Sequence, residues 1–422
     1  MARKMKDSGI EWIGEIPEGW EVGQIGQLYS ERRTKVSDKD YPPLSVTMKG
    51  ILPQLSTAAK TDAHDDRKLV CKGDFAINSR SDRRGSCGIS EQDGSISLIN
   101  TVLQPRGEMN PGYYNWLFHT SMFADEFYKW GHGIVDDLWT TGWSDMKKIG
   151  VPVPSKCEQK QLAEHLNFEC SNIDTILSKT RSSIEEYKKL KQAVITQAVT
   201  KGVRGEREMK DSGNPWFGQI PTDWKLSRVG LHFSIILGKM LCNAPLNDTY
   251  TLEPYYCAAD VHFDGVADGE RKKMWFSPIE KDLYRVSVGD LLVVEGGAGA
   301  GGSAIVENQD SYTYIQNSIM IVRSKGNTDN RYLRYLLDFL VKQGYIDIVC
   351  NKATIPHFTK DKLSCVPFCL CPTGEQKEIA DYLDAKCAEI DRLIAKKEQL
   401  VKELEGYKKS LIYEVVTGKR EV

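Results

Sequence analysis

The sequence predicts an α+β protein in which two similar globular domains are separated by two long, antiparallel, paired coiled-coil helices. The first observation is a repeat, because Met5-Lys-Asp-Ser-Gly-Ile-Glu-Trp-Ile-Gly-Glu-Ile-Pro-Glu-Gly-Trp20 returns 204 residues later as Met209-Lys-Asp-Ser-Gly-Asn-Pro-Trp-Phe-Gly-Gln-Ile-Pro-Thr-Asp-Trp224. The second is another repeat, at an offset of 217 residues, that opens with Glu158-Gln-Lys and Glu375-Gln-Lys. The third is the length of 422 residues, which is more than one domain with a single hydrophobic core usually contains. The chain is therefore a tandem of domains.

These repeats divide the chain into four segments. Residues 1–154 and 206–372 are predicted to form the globular domains, and residues 155–205 and 373–422 the long helices. Inside each domain a Gly-Asp pair, Gly73-Asp74 or Gly289-Asp290, precedes an apolar run that is typical of a buried strand. Outside such anchors the two domains diverge. A scaffold that is kept twice while its loops change suits two related modules that recognise different targets.

Each long segment carries apolar residues at intervals of three and four over about four heptads, which predicts a coiled-coil helix roughly 60 Å long. The predicted seam consists of Leu166, Ile173, Leu177, Ile184 and Val194 in the first helix and Leu383, Ile390, Ile394, Val401 and Leu411 in the second. Polar residues interrupt this seam at Thr180, Lys191, Lys397 and Lys408, and such residues favour one register over its rivals. We expect the helices to pair with each other in antiparallel directions, because a whole domain lies between them. The alternative is that each helix packs on its own domain.

The composition excludes several classes of protein. The formal net charge is −2, so any nucleic-acid contact must come from local basic patches or from partner subunits. The absence of a signal peptide and of an apolar run of membrane length predicts a cytoplasmic protein with no membrane contact. Eleven cysteines without paired spacings are typical of reduced thiols. The cluster Cys365, Cys369 and Cys371 alternates like a strand, which we favour over a metal site.

No catalytic residue is predicted. Gly297–Gly302 formally matches a dinucleotide-binding loop, but a strand-like run follows it where a helix would be needed, and no P-loop Lys-Ser/Thr is present. Asp290 and Glu295 lack the lysine expected of a metal nuclease, and no nucleophile elbow occurs. His64-Asp65-Asp66 and the segment His132–Asp137 lack partners and are interpreted as solvated surface. The glycine-rich segment is interpreted as a loop whose backbone can approach another surface closely.

Basic loops are the remaining candidates for a binding site. The segment from Ser79 to Ser86 follows the first Gly-Asp strand and places Arg80, Arg83 and Arg84 in a loop rich in glycine and serine. Arginine makes bidentate contacts to guanine and also to phosphates. The nearest basic equivalent in the second domain is the run Arg271, Lys272 and Lys273. The alternative for both clusters is a solvated charged face.

The chain resembles the specificity subunits of Type I restriction–modification systems. The resemblance is carried by the doubled opening, the Glu-Gln-Lys helix starts and their twofold order, and it covers essentially the whole sequence. Asn351-Lys-Ala-Thr-Ile-Pro-His-Phe358 is also similar to the family's segment that closes a target recognition domain. The first half departs from that pattern, with Trp139-Thr-Thr-Gly-Trp143 and no Ile-Pro step.

This resemblance implies that each globular domain is a target recognition domain, which reads one half of a bipartite site in double-stranded DNA. It implies that the helices set the gap between the half-sites and dock two methyltransferase (modification) subunits, with restriction/translocase subunits added in the full complex. The chain would be a non-catalytic specificity subunit without a cofactor of its own, and S-adenosylmethionine, ATP and Mg²⁺ are expected on its partners. Two other hypotheses are a nuclease or methyltransferase in its own right and a coiled-coil scaffold that joins protein- or sugar-binding domains.

Overall fold

The structure is a computed structural model that describes residues 3–54, 66–107, 109–133, 139–263, 265–297, 299–308, 312–350 and 356–422. His64, Asp65, the end of the segment His132–Asp137 and residues 351–355 therefore lie outside the described residues. The chain forms two compact units, one of residues 1–181 and 398–422, the other of residues 182–397. Each unit thus combines a globular part with a portion of both long helices, and the division into four segments stays a prediction.

The first half of the chain contains short strands and helices that precede one long helix. In chain order they are β1 (Met5–Asp7), β2 (Glu15–Pro17), β3 (Glu21–Gln24), α1 (Ile25–Leu28), β4 (Tyr29–Glu31), β5 (Lys35–Val36), β6 (Leu44–Thr47), β7 (Gly50–Pro53), β8 (Arg67–Val70), β9 (Phe75–Asn78), a 3₁₀ turn (Ser81–Arg83), β10 (Cys87–Ile89), β11 (Gly94–Ile96), β12 (Asn100–Pro105), α2 (Pro111–Phe118), α3 (Ser121–Lys129), α4 (Trp143–Met146), β13 (Gly150–Val153) and α5 (Lys156–Lys201). The main sheet of the first unit has the antiparallel order β10-β9-β12-β4, and a smaller sheet has the order β11-β8-β5.

The second half repeats the main elements of this order but differs between its first main-sheet strand and the Gly-Asp strand, where it adds a helix. Its elements are β14 (Met209–Asp211), β15 (Gln219–Pro221), β16 (Lys225–Arg228), α6 (Val229–His232), β17 (Phe233–Leu237), β18 (Thr251–Tyr256), a 3₁₀ turn (Ala258–Asp260), β19 (Val261–His262), β20 (Gly265–Val266), β21 (Lys273–Phe276), α7 (Pro278–Tyr284), β22 (Leu291–Val294), β23 (Ser303–Ile305), β24 (Tyr314–Ile315), β25 (Ile319–Ser324), α8 (Asn330–Lys342), α9 (Tyr345–Val349), α10 (Lys360–Ser364), β26 (Pro367–Leu370) and α11 (Thr373–Val416). The main sheet of the second unit has the antiparallel order β17-β25-β22-β23, and a smaller sheet has the order β21-β18-β24.

The two main sheets are built from equivalent strands. In each unit the strand after the Gly-Asp pair, β9 or β22, is fully buried and lies between two antiparallel neighbours. The doubled opening forms the hairpins β1–β2 and β14–β15, and the strand that leads into each long helix pairs with the strand after the opening, as β13–β3 and β26–β16. The Cys365–Cys371 run contains β26, in which Cys369 is buried. The predicted mixture of sheet and two long helices is confirmed.

The core of the first unit is aromatic and includes the start of α5. Phe75 on β9 packs on Phe118 of α2, with ring centroids 5.0 Å apart. Trp20 of the opening repeat is 1% exposed, and its ring lies edge-on to Tyr113. Leu166 of α5 is buried in the same cluster. The alternative that the helices pack on globular parts therefore holds for this end of α5.

Within the first unit, α5 and α11 run antiparallel. Lys408 Nζ lies 2.6 Å from Asp174 Oδ1, and Arg181 contacts Glu405, so residue numbers on α11 fall as those on α5 rise. The seam residues of this unit that are buried are Leu166, Ile173, Leu177 and Leu411, while Val401 is half-buried against the same cluster. Thr180 donates its hydroxyl to the carbonyl of Ile176 at 2.8 Å, so this polar seam residue is satisfied within its own helix.

Within the second unit the two helices are also antiparallel. Lys191 Nζ lies 2.6 Å from Asp391 Oδ2, and Lys397 Nζ lies 5.7 Å from the centroid of the Tyr187 ring. The seam residues that are buried here are Ile184, Leu383 and Ile390, while Val194 and Ile394 are half-buried. Because Lys191 and Lys408 are equivalent in the 217-residue repeat, as are Asp174 and Asp391, both units form the same ion pair from the two copies of one sequence.

Candidate nucleic-acid interface

The predicted arginine loop joins β9 to β10 at the edge of the main sheet in the first unit. Its backbone is tightly bonded, since Asn78 N donates to Ser86 O at 2.8 Å and Ser86 N donates to Arg83 O at 3.0 Å. Ser79 and Ser86 belong to this frame: the Ser79 hydroxyl bonds that of Thr101 at 3.0 Å, and Ser86 is buried. The two serines therefore shape the loop, and Arg83 and Arg84 are exposed on it.

The structure brings the three arginines of this loop together but gives them different surroundings. Arg80 is half-buried where the chain leaves β9. Arg83 lies at the end of the 3₁₀ turn with 69% of its side chain exposed. Arg84 forms an ion pair with Asp125 and lies 5.5 Å from the centroid of the Tyr128 ring. The cluster is thus a basic surface in which one arginine is held by α3.

The glycine-rich segment occupies the equivalent place in the second unit. Residues 295–302 connect β22 to β23, as residues 79–86 connect β9 to β10. Gly297 and Gly301 have φ values of 84° and 82°. Residues that carry a Cβ adopt such values only with backbone strain. The two equivalent loops therefore differ in composition. The loop of the first unit contains three arginines, and the loop of the second unit consists mostly of glycine.

The segment that closes each loop is also equivalent. In the second unit Gly297 N donates to Pro356 O at 3.2 Å, and Phe358 N donates to Glu295 O at 2.6 Å. In the first unit Ser81 N donates to Trp139 O at 3.1 Å, and Thr141 N donates to Ser79 O at 3.0 Å. Residues 139–141 thus take the place of residues 356–358, although the first copy lacks the Ile-Pro step.

The run Arg271, Lys272 and Lys273 lies elsewhere. Arg271 is committed internally, because its Nη1 donates to Asp260 Oδ1 at 3.1 Å, its Nη2 contacts the Ala267 carbonyl, and its guanidinium lies 4.8 Å from the Tyr256 ring centroid. Lys272 and Lys273 are exposed at the start of β21. This run precedes β22, so it is not the positional equivalent of the arginine loop. Its contact with DNA stays a prediction.

Sequence reasoning missed this equivalence, although a signal for it was present. Ser79 follows Asp74 by five residues, and Glu295 follows Asp290 by the same distance.

The Gly-Asp pair fixes the turn before the strand that carries each loop. The carboxylate of Asp74 accepts from Arg32 at 2.6 Å, and that of Asp290 accepts from Arg323 at 2.7 Å. The hydrogen bonds to Asp74 and Asp290 raise the pKa of Arg32 and of Arg323.

The doubled opening fastens the start of each long helix. Trp20 Nε1 donates to Glu158 Oε1 at 3.2 Å, and Trp224 Nε1 donates to Glu375 Oε2 at 3.3 Å. Arg207 Nη2 also donates to Glu375 at 2.7 Å. A carboxylate in the first turn of a helix is stabilised by the helix dipole as well. Burial raises the pKa of Glu158, but hydrogen bonds from Arg3, Ser155 and Trp20 outweigh it, and the net pKa is lowered.

Within the described ranges, no group of three or more His, Cys, Asp or Glu side chains is arranged to hold a metal ion. No helix in the described part of the chain has a stretch that is long and apolar enough to cross a membrane.

Known proteins with a similar sequence align with this chain over nearly their whole length. Residues 222–403 match the family model of the Type I restriction modification DNA specificity domain. The putative type I restriction enzyme MjaX specificity subunit of Methanocaldococcus jannaschii is 26% identical over 96% of this chain and 95% of its own length. The MjaVIII specificity subunit of the same organism is 24% identical over 96% of this chain and 93% of its own length.

Two solved structures have a similar fold. One chain, from a structure that concerns complex assembly and conformational transition of the type I R-M system, superimposes with a TM-score of 0.72 at 14% identity, covering 95% of this chain and 98% of that chain. The HsdS subunit from Thermoanaerobacter tengcongensis gives a TM-score of 0.56 at 16% identity, covering 96% of this chain and 98% of that one. Together with the family match at residues 222–403, these comparisons confirm the predicted resemblance of the chain to type I specificity subunits.

Proposed function

We propose that this chain is the DNA-recognising specificity subunit of a type I restriction–modification complex and that each unit reads one half of a bipartite site. The observation that carries the proposal is the pair of equivalent loops, Ser79–Ser86 and Glu295–Gly302, on equivalent sheet edges. One frame with two different loops supports two reading modules with different targets. Direct readout of base edges requires side chains or backbone that project from such a frame.

In this proposal residues 1–154 and 206–372 are the target recognition domains, and residues 155–205 and 373–422 are the spacer helices. The helices α5 and α11 contain 46 and 44 residues, which corresponds to roughly 69 Å and 66 Å. Their length would set the number of unread base pairs between the half-sites. Adding two turns to both helices, about 11 Å, is expected to widen the gap by roughly 3 base pairs.

The outward faces of the helices are proposed to dock two methyltransferase subunits. Leu190 and Tyr407 are equivalent in the 217-residue repeat, and they are 48% and 45% exposed. Phe168 on α5 is 65% exposed. Large apolar side chains on the solvent face of a helix are typical of an interaction surface when they cluster. Equivalent contacts on the two repeats would suit two copies of one partner.

The chemistry of modification and cleavage is proposed to reside in the partner subunits. S-adenosylmethionine, ATP and Mg²⁺ would be bound there, and restriction/translocase subunits would join the full complex. The formal charge of −2 supports joint binding of DNA, because a chain that is nearly neutral gains little from phosphate neutralisation on its own.

Gel-shift and methyl-transfer assays of the purified chain, with and without a co-expressed methyltransferase subunit, test the proposal. We expect sequence-selective binding of double-stranded DNA by the assembled complex and methyl transfer only when the partner is present. Methyl transfer by the chain alone would contradict a non-catalytic role. A complex that assembles but shows no sequence preference at any salt concentration would instead support a scaffold for protein- or sugar-binding domains.

A further inference from the structure

The arginine loop of the first unit contains one arginine that is fastened to the fold. Arg84 forms an ion pair with Asp125 and lies beside the ring of Tyr128, and both partners belong to α3. Arg84 and Asp125 are themselves 53% and 62% exposed, so this ion pair alone is weak, and the contact with the Tyr128 ring adds to it. We therefore interpret Arg84 as the residue that ties the loop to α3.

Arg80 is placed at the base of the loop. Its backbone N–H donates to Asn78 Oδ1 at 3.0 Å, and its backbone pairs with Thr140 in an antiparallel bridge. Its side chain is only half-exposed. A residue at the base of a loop has less reach into a groove than one at the tip.

Arg83 differs from both because it lies at the tip with little to hold it. Its side chain is 69% exposed, and its ion-pair partner is the adjacent Asp82, with Nε 3.7 Å from Oδ2. An exposed pair of this kind contributes between 0 and about 1 kcal/mol, so it does not prevent Arg83 from turning toward a ligand. Of the three arginines Arg83 is the most exposed, so its guanidinium is the most accessible to a ligand.

The neighbouring carboxylate indicates what Arg83 contacts. Asp82, which is 45% exposed, offsets the charge of Arg83, and Asp125 offsets that of Arg84, so the loop attracts phosphate less strongly than three unpaired arginines would. The planar guanidinium keeps the paired donors that match O6 and N7 of guanine in the major groove. We infer that Arg83 reads a guanine in the half-site of the first unit, which rests on the proposed function. The equivalent loop, Glu295–Gly302, contains no arginine, so the second half-site is read differently.

The test uses the complete chain assembled with its methyltransferase subunits and a library of DNA sites. Arg83→Ala should reduce discrimination for guanine at one position of one half-site by between about 5-fold and 150-fold. Arg83→Lys keeps the charge but should lose most of that discrimination, because lysine has no planar pair of donors. Preferences in the other half-site provide the control within the same molecule. Arg84→Ala, which loosens the loop, should weaken binding of all sequences by a similar factor.

The salt dependence of binding separates a base contact from a phosphate contact. Arg83→Ala should leave the slope of log affinity against log salt unchanged, whereas loss of a phosphate contact would reduce it by about 0.9. A uniform loss of affinity with a reduced slope would overturn the inference, as would a loss of guanine preference in Arg80→Ala but not in Arg83→Ala. If the unsubstituted complex shows no sequence preference, the proposed function itself fails. A selective complex that keeps every preference after Arg83→Ala refutes only the role of Arg83.

Discussion

Glu375 is a buried carboxylate at the start of α11, and replacing it with glutamine isolates what the doubled opening contributes to stability. The side chain of Glu375 is 0% exposed, and Arg207, its partner at 2.7 Å, is 18% exposed. Removing one member of a buried ion pair costs about 3–5 kcal/mol. Because Arg207 keeps some access to water, we expect Glu375→Gln to lower the free energy of unfolding of the second unit by about 3 kcal/mol.

Glu158 supplies a matched control in the first unit. Its contacts to Arg3 and Trp20 are equivalent to those of Glu375 with the second opening. The side chain of Glu158 is 32% exposed, however, and that of Arg3 is 31% exposed. We expect Glu158→Gln to cost only about 1 kcal/mol, since solvent screens the pair. Hydrogen exchange in increasing urea, followed by mass spectrometry of peptides from each unit, measures the two unfolding free energies separately. Equal losses for the two variants would refute the reasoning from burial.

Three further perturbations test the helices and the openings. Lys191→Asp should destabilise the helix pair of the second unit by about 1 kcal/mol, and adding Asp391→Lys should restore most of the loss; a double variant no better than the single one would contradict the ion pair. The pKa of Glu158 is lowered in the folded chain, so Glu158 stabilises the fold fully above its unfolded-state pKa of about 4.3. This stabilisation is lost as the pH falls through the lowered pKa of the folded chain. Thermal unfolding of the first unit should show the loss, and the Glu158→Gln variant should lack this pH dependence. Leu190→Arg and Tyr407→Arg should each reduce the number of methyltransferase subunits bound, measured by native mass spectrometry, from two toward one, whereas two bound subunits at unchanged affinity would exclude these residues from the docking surface.

The long helices were predictable because their pattern is local and repeated. Apolar residues at intervals of three and four fix a helix and its buried face, and Leu177 and Leu383 lie on that face. The residues at which the helices end were harder to predict. α5 ends at Lys201, and Gly202 follows it with a φ of 79°, because the chain must turn there beside Trp224 and Glu375. That turn depends on contacts with the opening repeat, which no local pattern encodes.

The loops were predictable only in part because their positions depend on strand pairing. The equivalence of residues 79–86 with residues 295–302 follows from the sheet order, while their sequences share one residue, the glycine at Gly85 and Gly301, where φ is 75° and 82°. The charge of Arg271 makes it a candidate for a DNA contact, yet its guanidinium is bound to Asp260 beside a different strand. The different freedom of Arg83 and Arg84 arises from the position of Asp125 on α3. Composition identifies basic residues, but only tertiary contacts determine which of them are available to a ligand.

Exchange of one recognition module, with the methylated sequence as the readout, tests the central proposal most directly. Residues 206–365 are replaced by the corresponding segment of another specificity subunit, and the methylated positions are mapped in cells that carry the assembled complex. We expect a bipartite motif in which one half changes and the other half and the gap are retained. A motif that changes in both halves would contradict two independently reading units.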